Sequence, residues 1–98
     1  MLNYSFVLPS YFDDYQGEVM AKGCFSDALM IIGGKQYRLN FYDPLRLGQD
    51  IAMVLENEKM FFEPNLVIVR EVTRKEMERA AERLAHPGFA TSLVPELP

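Results

Sequence analysis

The stretch Ala28-Leu29-Met30-Ile31-Ile32-Gly33-Gly34-Lys35-Gln36-Tyr37-Arg38-Leu39-Asn40-Phe41-Tyr42-Asp43-Pro44 decides the fold. An apolar block, Ala28 to Ile32, precedes the glycine pair. After it, Tyr37, Leu39 and Phe41 alternate with Gln36, Arg38 and Asn40. Period-two alternation is the pattern of a strand with one apolar face. Two glycines between strand patterns suit a two-residue turn whose central positions need positive φ. The stretch therefore predicts a β-hairpin, and it ends on a helix start. Asp43 can accept from the free N–H groups of a first helical turn, and Pro44 suits the first helical position, where no donor is needed.

Downstream, Tyr42 and Leu47 stand where a hydrophobic staple would place them. Leu47, Ile51, Val54 and Leu55 follow the spacing of one apolar helix face. Gly48 weakens this helix by up to about 1 kcal/mol against alanine unless something packs close to it. Asn57 to Lys59 reads as a turn, Met60 to Phe62 as a strand or extended segment, and Leu66 to Val69 as a strand after Pro64-Asn65. Thr73-Arg74-Lys75-Glu76 is a capping box, with Val72 and Met77 as its staple. Met77, Ala80, Ala81, Leu84 and Ala85 then form a buried stripe that Pro87-Gly88 ends.

Upstream, Leu2, Tyr4, Phe6 and Leu8 alternate as a strand that Pro9 ends. Ser10 to Gly17 reads as a loop, and Glu18 to Phe25 as a second strand with Gly23 as a bulge. The expected architecture is α+β: an antiparallel sheet of four to five strands with two amphipathic helices on one face. Residues 1–88 form a single domain and residues 89–98 a C-terminal tail.

The chain's 98 residues leave room for one domain with one core. With 49% hydrophobic and 24% charged residues the composition is globular, not that of a disordered chain. The net charge of −4 argues against a nucleic-acid binder, which needs a basic face for phosphates. The acidic excess lies in residues 1–69, where Asp13, Asp14, Glu18, Asp27, Asp43, Asp50, Glu56, Glu58 and Glu63 outnumber Lys22, Lys35, Arg38, Arg46 and Lys59. Such a field attracts a basic partner and speeds its arrival. Cys24 is alone, so no internal disulfide can form. Neither a signal peptide nor an apolar run of membrane-spanning length is apparent, which leads to the expectation of a cytoplasmic protein without a membrane role.

The sequence displays no catalytic set. His86 stands at a helix end beside Pro87, and a last-turn cation or polar cap accounts for it. Cys24 falls in an apolar strand pattern, where an inert thiol is the ordinary case. Zinc wants four Cys or His ligands, Asp13-Asp14 lacks the spacing of a calcium loop, and Gly33-Gly34 is not a phosphate loop. The expectation is of no enzyme, no cofactor and no metal.

The candidate binding segment is Tyr11-Phe12-Asp13-Asp14-Tyr15-Gln16-Gly17-Glu18, with three aromatics, three acids and no base. Tyrosine offers contact area with a polar tip, and acids beside it complement a basic target. Tyr11, Asp13, Asp14, Tyr15 and Glu18 are the expected partner-binding residues. The plainer reading tucks Phe12 and one tyrosine into the core and leaves the acids solvated. A second candidate surface is Arg38, Asn40, Arg46, Gln49 and Asp50, which can equally be an ordinary solvated face.

The block from Gly34 through Tyr37-Arg38-Leu39-Asn40-Phe41-Tyr42-Asp43-Pro44 to Ile51, together with Phe62-Glu63-Pro64-Asn65-Leu66-Val67-Ile68-Val69 and the final helix, resembles small bacterial immunity proteins of contact-dependent and other polymorphic toxin systems. The resemblance covers about residues 28–85 and carries over no site residue. It implies a cytoplasmic protein that binds and blocks one cognate toxin domain, a basic one being the natural target of an acidic inhibitor. Two other classes compete with it. A subunit or adaptor that self-associates would show a large apolar patch. A small enzyme would show a pocket with convergent polar groups.

Overall fold

The computed structural model describes residues 2–97. Strands β1 (Tyr4–Val7), β2 (Cys24–Ile32), β3 (Lys35–Tyr42) and β4 (Leu66–Ile68) form one sheet in the order β1-β2-β3-β4. The hairpin between β2 and β3 turns at Gly33 and Gly34, both with positive φ (57° and 79°), as a type I′ turn requires. β1 joins the other side of β2, antiparallel, pairing Phe6 with Met30. The helices are α1 (Gln16–Lys22), α2 (Pro44–Asn57), α3 (Arg74–Leu84) and the short α4 (Pro87–Ala90).

The α+β class stands, but the sheet is mixed and has four strands among the described residues. β4 runs parallel to β3, with Phe41 opposite Val67. The reason is the connection: α2 lies between these strands, and a helical crossover returns the chain to the end where the previous strand began. Met60 to Phe62 is not a strand. Asn65 turns the chain into β4 with a left-handed φ of 53°, which asparagine tolerates. Its side chain donates to the Arg38 carbonyl and exchanges bonds of 2.7 and 2.8 Å with the backbone of Val94. Residues 94–96 thus lie along β3 beyond the reach of β4, and Glu96 N–H donates to the Gln36 carbonyl.

Residues 10–22 are helical. Ser10–Tyr15 is a 3-10 helix, not a loop, and Gln16–Lys22 is α1, not the first half of a strand. Gln, Glu, Met, Ala and Lys are good helix formers. Gly23 is the helix stop rather than a bulge: it is left-handed (φ 75°) and its N–H donates to the Val19 carbonyl. The extended strand begins only at Cys24.

The core lies between one face of the sheet and α3. Ala28, Met30, Leu39 and Phe41 are fully buried from the sheet, as are Met77, Ala81 and Ala85 from α3 and its end. Phe12 enters the same cluster and meets Phe25 edge to face at 5.2 Å, while Phe6 meets Phe41 at 6.2 Å. The α3 start carries half of its capping box. Thr73 Oγ1 accepts from Glu76 N–H at 3.3 Å, but the Thr73 N–H donates to the Glu71 carbonyl instead of to the Glu76 side chain. Asp43 caps α2 by accepting from Arg46 N–H at 2.7 Å. The helix α2 forms as expected, yet none of its residues is buried and none joins the core cluster. Leu47, Ile51 and Val54 are half-buried. No helix among the described residues is long and apolar enough to cross a membrane.

Candidate functional site

The site is built on an irregularity in the hairpin. Phe25 pairs with Phe41 and Ala28 with Leu39, so Ser26 and Asp27 together oppose Asn40. Two residues against one is a β-bulge, which bends the strand and re-aims its side chains. A groove of about 640 Å³ opens beside it. The 3-10 helix and α1 contribute Tyr11, Tyr15, Glu18 and Lys22. The bulged strand contributes Cys24, Ser26 and Asp27, and β3 contributes Asn40 and Tyr42. Glu63 and Pro64 come from the segment before β4.

Hydrogen bonds tie these elements together. The Tyr11 hydroxyl donates to Asp27, and its ring meets Tyr15 edge to face at 6.1 Å. Tyr42 donates to Glu63 Oε1 at 2.7 Å, and Asn40 Nδ2 donates to the Pro64 carbonyl at 2.7 Å. Asp27 also faces Arg38 at 3.6 Å, and Arg38 reaches on to Glu96 at 2.5 Å. Arg46 pairs with Asp50 and donates to the Lys22 carbonyl, holding the start of α2 against the end of α1.

The two hydroxyls remain donors. The bond to Asp27, with desolvation second, raises the Tyr11 pKa above the ordinary tyrosine value. For Tyr42 burial is the larger cause and the bond to Glu63 the next, and its pKa is driven well up. Both effects penalise a tyrosinate beside a carboxylate. The groove therefore sets phenol donors beside carboxylates. Glu18, Asp27 and Glu63 face it, with Lys22 as the one base in its lining among the described residues.

Of the five residues expected from sequence, Tyr11, Tyr15 and Glu18 line this groove. Tyr11 and Tyr15 remain 42% and 51% exposed while Phe12 goes fully into the core. Asp13 turns instead to α3, where its carboxylate pairs with Arg74 at 2.6 Å, and the same guanidinium lies over the Phe12 ring. Asp14 is exposed and does not line the groove. From the second candidate surface only Asn40 lines it.

Sequence reasoning missed Asp27, Tyr42 and Glu63. One signal for Asp27 was present: Phe25 and Ala28 are both core residues three apart, where a regular strand would space them by two. Cys24 lines the groove as a half-buried free thiol, and His86 lies exposed ahead of α4. Among the described residues no group of three or more His, Cys, Asp or Glu side chains is arranged to hold a metal ion.

Comparison of the chain with protein-family models, with curated proteins and with solved structures finds no match.

Proposed function

We propose that this chain is a small acidic protein-binding protein, an immunity protein that neutralises a cognate bacterial toxin domain by direct contact and has no catalytic role of its own. The observation that carries this reading is the groove. Exposed tyrosines beside carboxylates, with a single lysine in the lining, give a surface that excludes water around charge and complements a basic protein. The net charge of −4 adds a long-range attraction of the same sign. The toxin assignment rests on the sequence resemblance alone. It is tested by affinity capture of the products of adjacent genes, followed by co-expression with any toxin domain among them. A stable complex and restored growth support it. Undiminished killing in the presence of excess chain refutes it.

A second reading, a subunit or adaptor that packs in an oligomer, is favoured by a different observation. Leu45, Met53 and Leu55 of α2 are exposed, and so are Met60 and Phe62 just after it; Leu45 and Phe62 reach 73%. Apolar side chains gathered on one helix and its exit suit a hydrophobic partner. Sedimentation over a wide concentration range decides: a monomer throughout removes self-association.

A further inference from the structure

Taking the protein-binding reading as its basis, we propose that the groove beside the β-bulge is an arginine-recognition pocket, which takes the guanidinium of one arginine side chain projecting from a basic segment of the partner.

Charge and shape in the lining point to this chemistry. Carboxylates reach the groove from three separate elements: Glu18 on α1, Asp27 on the bulge and Glu63 before β4. They are not equivalent. Asp27 already accepts from Tyr11 and faces Arg38. Neither Glu18 nor Glu63 takes part in an ion pair among the described residues. Glu63 meets Tyr42 through Oε1 only, and a carboxylate has lone pairs to spare beyond one bond. Two acids thus face the same cavity with acceptor capacity left.

The remaining lining is aromatic. Tyr11 and Tyr15 line the groove and remain 42% and 51% exposed, and an exposed aromatic ring attracts a planar cation. Guanidinium stacks on such faces and offers five in-plane donors, whereas the lysine ammonium is a compact, strongly hydrated point charge. A groove of about 640 Å³ is of ordinary binding-site size, with room for such a side chain and part of its backbone. Three acidic side chains against one lysine line the groove among the described residues, so the pocket selects for positive charge and not merely for an aromatic fit.

The test uses the intact chain and a blocked tripeptide, acetyl-Gly-Arg-Gly-amide, titrated while amide resonances are followed by NMR. The control peptide carries citrulline, which keeps the shape of arginine and removes its charge. Arginine is expected to shift the amides of Ser26, Asp27 and Asn40, with the citrulline peptide weaker by roughly tenfold or more, the loss of one charge-assisted bond. Glu63→Gln keeps an acceptor for Tyr42, and Glu18→Gln changes an exposed helical residue, so both variants should fold. Each is expected to weaken the arginine peptide severalfold. Asp14→Asn makes the same change in net charge away from the groove and should leave binding unaltered.

Equal binding of the citrulline peptide, or equal weakening by Asp14→Asn and Glu63→Gln, would overturn the pocket. Because no toxin enters the assay, the two readings fail separately. Toxin neutralisation without arginine binding removes the pocket and leaves the protein-binding reading standing. Arginine binding without any neutralised toxin supports the pocket and removes the immunity assignment.

Discussion

The backbone N–H of Asp43 donates to the Gly23 carbonyl at 2.8 Å, and a Cβ built on Gly23 would lie 2.5 Å from Asp43 Oδ2. The stop of α1 and the cap of α2 are therefore one joint. The Asp43 carboxylate cannot move aside freely, because its Oδ1 holds the Arg46 N–H at 2.7 Å.

Gly23→Ala should accordingly be strongly destabilising. A non-glycine residue at φ 75° stores about 1–3 kcal/mol of strain, and displacing the cap adds about 0.5–2 kcal/mol. Denaturant unfolding measures the sum. The joint makes a further demand: in an Asp43→Ala background the Gly23→Ala penalty should shrink, since the clash and the cap are already gone. Simple additivity of the two changes would mean that the residues act independently.

Gly48→Ala should do the opposite. Gly48 lies inside α2, and a Cβ there would meet nothing within 4 Å. Replacing glycine by alanine in an exposed helix interior gains about 0.5–1 kcal/mol. A higher unfolding midpoint is expected. A loss of stability would show that α2 departs from helical geometry at this position in solution.

Thr73→Ala removes an acceptor from the start of α3. The bond to Glu76 N–H is long at 3.3 Å, and the reciprocal arm of the box is not made. The loss should fall at the low end of about 0.5–2 kcal/mol. Glu76→Ala should cost less than Thr73→Ala in the same unfolding measurement, because its side chain does not complete the box.

These contrasts mark what local sequence can reveal. The Gly33-Gly34 turn, the Asp43 cap and the Thr73 cap were legible because each depends on residues within a few positions of one another. The helix α1 was not. It buries only Val19, so it carries no i, i+4 stripe, and a glycine at positive φ serves a bulge and a helix stop equally well. The parallel direction of β4 is set by the crossover through α2, which a strand's own residues do not encode. The groove was half legible. Tyr11, Tyr15 and Glu18 belong to one segment and were found together, whereas Asp27, Tyr42 and Glu63 reach it through strand pairing and chain return.

Alkaline pH gives an independent check on Tyr42. Its folded-state pKa is raised above the ordinary value of about 10. The contribution to stability is then fully present below about pH 10. It falls as pH rises from there through the raised folded value, because the unfolded chain loses its proton first. Tyr42→Phe removes this titration. Unfolding curves collected above about pH 10 should decline less steeply for the variant, and the latest-titrating part of the tyrosinate absorbance should vanish. An unchanged alkaline slope would mean that Tyr42 is not held by burial and Glu63 in solution.

The residues of the aromatic and acidic segment differ in their place in the fold. Tyr15 lines the groove, whereas Asp13 and Asp14 do not, so they should affect a partner through different rate constants. Asp13 is bound to Arg74 but remains well exposed. A solvent-exposed pair contributes only about 0–1 kcal/mol, so Asp13→Ala with Asp14→Ala should leave thermal stability nearly unchanged. As charges outside the groove they should act on encounter: the double variant is expected to slow association with a basic partner and reduce its dependence on salt. Tyr15→Ala removes contact area within the groove and should mainly raise the dissociation rate. Surface plasmon resonance with the captured partner at two salt concentrations resolves both effects. If the double variant changes neither rate, charge outside the groove plays no part in encounter. If Tyr15→Ala also leaves dissociation untouched, the groove is not the contact, and Arg38, Arg46 and Asp50 become the next residues to vary.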